Sequence, residues 1–150
     1  MVLADGHRVA AGGRVKTPWH VFVVGILALL WNASGAYTIL MAQAGRLPDL
    51  TPDEAAYYAA QPVWLVIATD ISLLAAIAGA VALLLRRRAA AWLFALSFVS
   101  IIVTNVYDLA AGTSRALANR TAAIVTALIV VIAILELAYA RTMAKRGILK

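Results

Sequence analysis

Four long apolar runs separated by short polar breaks dominate the chain: Pro18–Gln43, Pro62–Leu85, Ala89–Ala111 and Thr121–Met143. Each is about 20 residues or longer, enough for an α-helix to cross the hydrocarbon core of a bilayer. Two of the runs open on proline, which a first helical turn tolerates. The break "LLLRRRAAAW" at Leu83–Trp92 is short enough to make the second and third spans antiparallel neighbours. The longer break carries "LTPDEAAYYAAQP" at Leu50–Pro62. There Thr51 suits a helix N-cap, Pro52 its first position and Glu54 the reciprocal position of a capping box. A short interfacial helix is expected, with Tyr57 and Tyr58 at the headgroup level; it serves as a spacer or as a lid over a cavity. The pattern predicts an all-α polytopic membrane protein, a four-helix bundle flanked by basic tails at residues 1–17 and 144–150.

Composition fits this reading. The chain is 64% hydrophobic and 13% charged, with a mean hydropathy of +0.90, whereas soluble domains are about half apolar and a quarter charged. A core of this chain length could not hide so much apolar surface. "MAQA" at Met41–Ala44 has the small-residue look of a signal-peptidase site, but the apolar run before it is too long for a signal segment.

Charge gives the direction. Arg8, Arg14, Lys16, Arg86, Arg87, Arg88, Arg141, Lys145, Arg146 and Lys150 fall on one side, against Arg46, Arg115 and Arg120 on the other. By the positive-inside rule both termini are expected to be cytoplasmic. The net charge of +6 sits at segment ends, so nucleic-acid binding is not expected. There are no cysteines, which excludes disulfides and thiolate metal sites.

Helical phase sorts the faces. Ser97, Ser100, Thr104 and Asp108 share one stripe of the third span, with Asn105 at its margin; Trp92, Val99, Ile102, Val103 and Val106 cover the opposite side. Small-residue stripes that allow close helix approach run through Gly25, Ala28, Asn32 and Gly35, and through Ala122, Thr126, Ala133 and Ala140. The second span has a stripe of Ala68, Ser72, Ala75 and Gly79, with Asp70 roughly opposite. Whichever side packs inward, this span needs protein on both, so a homo-oligomer or an assembly with other membrane subunits is expected.

The candidate site residues are Asn32, Asp70, Asn105, Asp108 and Glu136. A carboxylate at membrane depth costs a few kcal/mol or more and should face protein or water. At about 1.5 Å per residue, Asp70 lies about 12 Å, Asn105 about 9 Å and Asp108 about 5 Å below the outer edge. With Asn32 these define a possible outer polar cluster. Glu136, nearer the cytoplasmic side, is placed to reach toward His20 or the Arg86–Arg88 turn. Asp70 thus has two readings, a pocket residue or a contact between subunits. Structural hydrogen bonding is the favoured reading for Asn32 and Asn105, and simple hydration for Asp108, whereas for Asp70 and Glu136 function and structural pairing stand level.

Only His7 and His20 are present, so a bis-histidine haem is excluded within one chain, and His20 reads as an interfacial residue beside Trp19. No phosphate loop, zinc-protease helix or nucleophile elbow occurs; no enzymatic activity, cofactor or metal is expected. No inverted repeat of the transporter kind is visible.

Together, "PWHVFVVGILALLWNASGAYTILMAQ", "QPVWLVIATD", "LLLRRRAAAWLFALSFVS" and "YARTMAKRGILK" resemble a group of small four-span bacterial inner-membrane proteins often labelled hypothetical proteins or sugar transporters. The resemblance covers the chain from Pro18 onward. The group's span-one pattern W-N-x-x-G-A-aromatic-Asp is matched by Trp31, Asn32, Gly35, Ala36 and Tyr37, with Thr38 in place of the acid. It implies a bacterial inner-membrane location and sugar transport. The expected function is an accessory or structural subunit of a larger membrane assembly. The alternative is transport or binding of a small solute such as a sugar, coupled to a proton or cation through the intramembrane carboxylates.

Overall fold

The computed structural model describes residues 17–112 and 120–150, with side chains from Ala123 onward in the second stretch. The basic tail up to Lys16, including His7, and the loop residue Arg115 lie outside the described residues, as do the side chains of Thr121 and Ala122. Among the described residues the chain is all-α: α1 (His20–Gln43), α2 (Pro52–Ala60), α3 (Val63–Leu84), α4 (Ala89–Ala110) and α5 (Arg120–Lys145). Four of these are long and apolar enough to cross a membrane; the protein is a multi-pass membrane protein. The helix limits fall within a few residues of those the hydropathy pattern predicts.

The short helix forms for the reason the sequence gives. The Thr51 hydroxyl accepts from the Glu54 backbone N–H at 3.3 Å, and the Glu54 carboxylate accepts from the Thr51 N–H at 2.9 Å. These two bonds satisfy orphan donors of the first turn.

α3 packs on both α1 and α4, and α4 packs on α5. Side-chain hydrogen bonds from α1 to α5 close the ring. The interior is densest at the end that carries the Arg86–Arg88 turn. There Val21 and Ala28 of α1, Ala80 and Leu83 of α3, Ala90 and Phe94 of α4, and Leu137, Ala140 and Met143 of α5 form one buried cluster. Two glycines permit this approach. A Cβ on Gly25 would lie 2.6 Å from Leu84 Cδ2, and one on Gly79 would lie 3.0 Å from Phe94 Cδ1. Toward α2 the bundle is looser: Ile124, Val125, Leu128 and Ile129 of α5 are exposed, and burial on that helix begins at Ala133.

The chain end is part of this core. Residues 144–150, read from sequence as a basic tail, continue α5 through Lys145 and then turn back. Ile148 and Leu149 are buried, and Lys150 pairs with the α3–α4 turn: its N–H donates to Arg86 O at 2.7 Å, and Arg88 N–H donates to Lys150 O at 2.9 Å. Arg88 Nε donates to Leu149 O at 3.3 Å. The turn itself closes α3 with a Schellman pair, Arg87 N–H to Ala82 O and Arg86 N–H to Leu83 O. That motif puts Arg86 in the left-handed region, at φ 56°. The equivalent position after α1 is Gly45 and after α5 is Gly147.

Candidate functional site

Polar side chains inside an apolar bundle must bond to something. Most here bond to their own helix. Thr104 and Asn105 both donate to Ile101 O, Ser72 donates to Thr69 O, and Thr38 donates to Ser34 O. Such back-bonding satisfies the group without a partner helix. Asn105 is therefore accounted for locally.

Asn32 is different. Its Nδ2 donates to Ala28 O at 2.8 Å and also to Glu136 Oε1 of α5 at 2.8 Å. One amide group thus holds both its own helix carbonyl and a carboxylate from across the bundle. Asn32 stands 12 residues into α1, which is about 18 Å of rise and close to the middle of a bilayer. Glu136 is half-buried, and among the described residues Asn32 is its one hydrogen-bond partner.

A second link joins the same two helices nearer the basic end. His20 Nδ1 lies 2.6 Å from the Tyr139 hydroxyl, with the rings edge to face at 5.9 Å. Glu136 and Tyr139 are three residues apart on α5, on neighbouring positions of one helix side. The α1–α5 seam therefore carries two polar bridges.

At the opposite end Asp108 meets α2. The Tyr57 hydroxyl donates to both Asp108 carboxylate oxygens, at 3.0 and 3.1 Å. Trp64 of α3 packs edge to face on Tyr107 beside it, centroids 5.0 Å apart. This holds α2 over the end of α4. Burial, reinforced by the Asp108 charge, pushes the Tyr57 hydroxyl well above its ordinary range; burial raises Tyr58 as well. The hydrogen bonds from Thr51 hold the Glu54 carboxyl below the usual carboxylate range.

Asp70 stands apart. The small stripe of its helix is spent inside the bundle: Ser72, Ala75 and Gly79 are buried. Asp70 projects on the opposite side, beside Ile67 and Leu74, which are 52% and 67% exposed. Its Oδ1 is shielded from solvent and has no hydrogen-bond partner among the described residues. Asp70 is thus half-buried at the margin between the packed and the exposed sides of α3.

The expected grouping of Asn32 with Asp70, Asn105 and Asp108 is accordingly not the one that forms. Asn32 bonds Glu136, Asp108 bonds Tyr57, Asn105 bonds its own helix, and the shielded Oδ1 of Asp70 bonds none of them. Glu136 reaches neither His20 nor the arginine turn through a hydrogen bond; Tyr139 takes the contact to His20. The predicted inner stripe of α4 does face inward at Ser97, which is buried, while Trp92, Val99 and Val106 are exposed. Sequence reasoning passed over Tyr139 and Tyr57 as site residues. The signal for Tyr139 was its place one turn from Glu136, level with a histidine on a neighbouring span.

No group of three or more His, Asp or Glu side chains suited to a metal ion occurs among the described residues. Comparison with protein-family models, with curated proteins and with solved structures finds no match for this chain.

Proposed function

We propose that this protein is a structural or accessory subunit of a membrane assembly, and that the Asp70 side of α3 is where it meets its neighbour. The observation that carries this reading is the position of Asp70. It is a half-buried acid within a membrane-spanning helix, flanked by exposed Ile67 and Leu74, with a shielded oxygen that has no partner among the described residues. A carboxyl group in lipid costs several kcal/mol in its charged form and favours a protein neighbour or protonation. The residue pattern around it, apolar and otherwise uncharged, suits helix-on-helix packing in lipid. The ten-to-three distribution of Lys and Arg supports an inner, cytoplasmic-membrane location with both termini inside, and the resemblance to small bacterial inner-membrane proteins supports the same compartment.

The test is native mass spectrometry of the gently solubilised full chain, wild type beside Asp70→Asn and Asp70→Leu. An oligomer or a complex with other subunits is expected for the wild type, with its stoichiometry or partners changed in the variants while helix content stays constant. A wild-type monomer, or an assembly that both variants leave unaltered, overturns the reading.

The Asn32–Glu136 bond favours a second reading: binding or transport of a small solute, a sugar by the resemblance, coupled to a proton or cation at Glu136. An inward carboxylate near mid-bilayer is the physical basis of such coupling. In this reading Asp70 and the half-buried Asn105 and Asp108 serve the solute path, and Asp70→Asn abolishes a proton-linked flux while assembly persists.

A further inference from the structure

We infer that the α1–α5 seam is a proton-access route from the basic end of the bundle to Glu136, with His20 and Tyr139 as its relay. This rests on the second reading above only in requiring that Glu136 exchange a proton.

Three observations carry it. The centre of the basic end is plugged by apolar side chains, with Leu83, Phe94, Met143, Ile148 and Leu149 all buried. A proton bound for mid-bilayer has no polar foothold there. The seam beside this plug does have one. His20, at the first residue of α1, and Tyr139 form a 2.6 Å hydrogen bond, and both are half-buried, in reach of the aqueous boundary and of the interior at once. Glu136 then follows on the same helix side, three residues and about 4.5 Å of helix rise farther in than Tyr139, and the proposed route crosses this step through a water. Imidazole and phenol each donate and accept, so a proton can be passed along them without a lasting charge on either.

The transfer balances. A proton from water binds one nitrogen of His20, whose other nitrogen releases its proton to the Tyr139 oxygen. The tyrosine gives up its own hydroxyl hydrogen to a bridging water, which passes one of its own on to Glu136, where a carboxylate becomes a carboxylic acid. No oxidant, metal or co-reactant is needed. Reversal returns the proton to the same side. Once protonated, Glu136 still accepts from Asn32 Nδ2 through its carbonyl oxygen, so loading need not break the seam.

Arg146 lies two helical turns beyond Tyr139, toward the basic end. The acids and tyrosine of α3 and α4, Asp70, Tyr107 and Asp108, lie in the halves nearer α2 and do not face this stretch. Arg86 and Arg88 are occupied at the turn, on Thr17 and Leu149 O respectively.

The experiment is time-resolved infrared spectroscopy of the full chain in liposomes after a pH jump, following the carboxylic acid C=O band that Glu136→Gln removes. In the wild type this band should respond promptly, and Tyr139→Phe and His20→Phe should each slow it at least tenfold without altering its final amplitude. A merely structural role for the His20–Tyr139 pair would leave the rate untouched. If the band titrates but both variants respond at the wild-type rate, the route is overturned while the coupling reading survives. If Glu136→Gln removes no pH-responsive band, Glu136 exchanges no proton, and both fall together.

Discussion

Asn32 Nδ2 and Glu136 Oε1 meet at 2.8 Å across the bundle, although 104 residues separate them in sequence. Between α1 and α5 this bond and the His20–Tyr139 contact do the joining, since the backbones of these helices pack far less closely than those of α3 and α4. A polar seam here takes the place of the small-residue packing that joins α3 to its neighbours. Interhelical hydrogen bonds in lipid are worth about 0.6 kcal/mol on average and rarely more than about 1.7. Asn32→Leu should therefore lower stability against denaturing detergent by about 1 kcal/mol. Glu136→Gln, whose amide oxygen can still accept from Asn32, should cost less than Glu136→Leu. Circular-dichroism unfolding in mixed micelles checks both, and equal losses for the two Glu136 variants would show that the bond contributes nothing.

The Tyr57–Asp108 contact gives α2 a pH window. The Tyr57 hydroxyl is raised above its ordinary value of 10.0 in the folded state, first by burial and then by the Asp108 charge. A group raised on folding contributes stability that is complete below its unfolded pKa and is lost as pH climbs through the folded one. Docking of α2 should thus be constant through neutral pH and weaken only above about 10. The opposite sign applies to Glu54, which is lowered by its bonds to Thr51. The capping box is complete above the ordinary carboxyl range and fails as pH falls below it. An environment-sensitive label on α2 should report release at both extremes, and Tyr57→Phe should free the helix at neutral pH as well.

Much of this architecture could be read from the chain because membranes make strong demands on sequence. A run of about 20 apolar residues has few alternatives to a spanning helix, and the capping box at Thr51–Glu54 is a local motif whose two bonds form within one turn. The inward stripe of α4 follows from period alone. What period could not supply was which helix lay opposite which. Asn32 pairs with Glu136 rather than with Asp70 because α5 closes against α1, a fact of tertiary packing. The orientation of Asp70 needed the same knowledge, since α3 carries two plausible inner faces. The turn back of Ile148 and Leu149 was hidden by the charges around them: Lys145, Arg146 and Lys150 read as a solvated tail, while two apolar residues among them fill the bundle base.

Arg86 occupies a backbone conformation that α1 and α5 give to glycine. Its φ of 56° matches 64° at Gly45 and 71° at Gly147. For a residue with a Cβ the left-handed region costs about 1 kcal/mol or somewhat more. Arg86→Gly should stabilise the hairpin by about that amount, less a few tenths for the exposed bond to Thr17. Gly147→Ala should destabilise by about 1 kcal/mol, for the same steric reason. Opposite shifts in the thermal midpoint of the two variants are the expected result. Midpoints that move together would mean that Arg86 is retained in its conformation at no cost.

Leu149 is fully buried, in contact with a cluster that includes Leu83, Phe94 and Met143, and its carbonyl oxygen receives Arg88 Nε. Ile148 and Leu149 therefore act as a wedge between α5 and the α3–α4 turn. Truncating a buried leucine to alanine costs about 2–5 kcal/mol when the cavity stays open. At a helix-bundle end that can partly collapse, the lower part of that range is expected. Leu149→Ala should accordingly lower stability by about 2 kcal/mol, whereas Lys150→Ala, which keeps both backbone bonds to Arg86 and Arg88, should change it by no more than about 0.5 kcal/mol. Hydrogen exchange at the Arg88 and Lys150 amides supplies the independent readout. Both amides are bonded across the wedge, so both should lose protection in Leu149→Ala and keep it in Lys150→Ala. Protection unchanged in the leucine variant would mean that the backbone pairing, and not the buried side chain, holds the chain end in place.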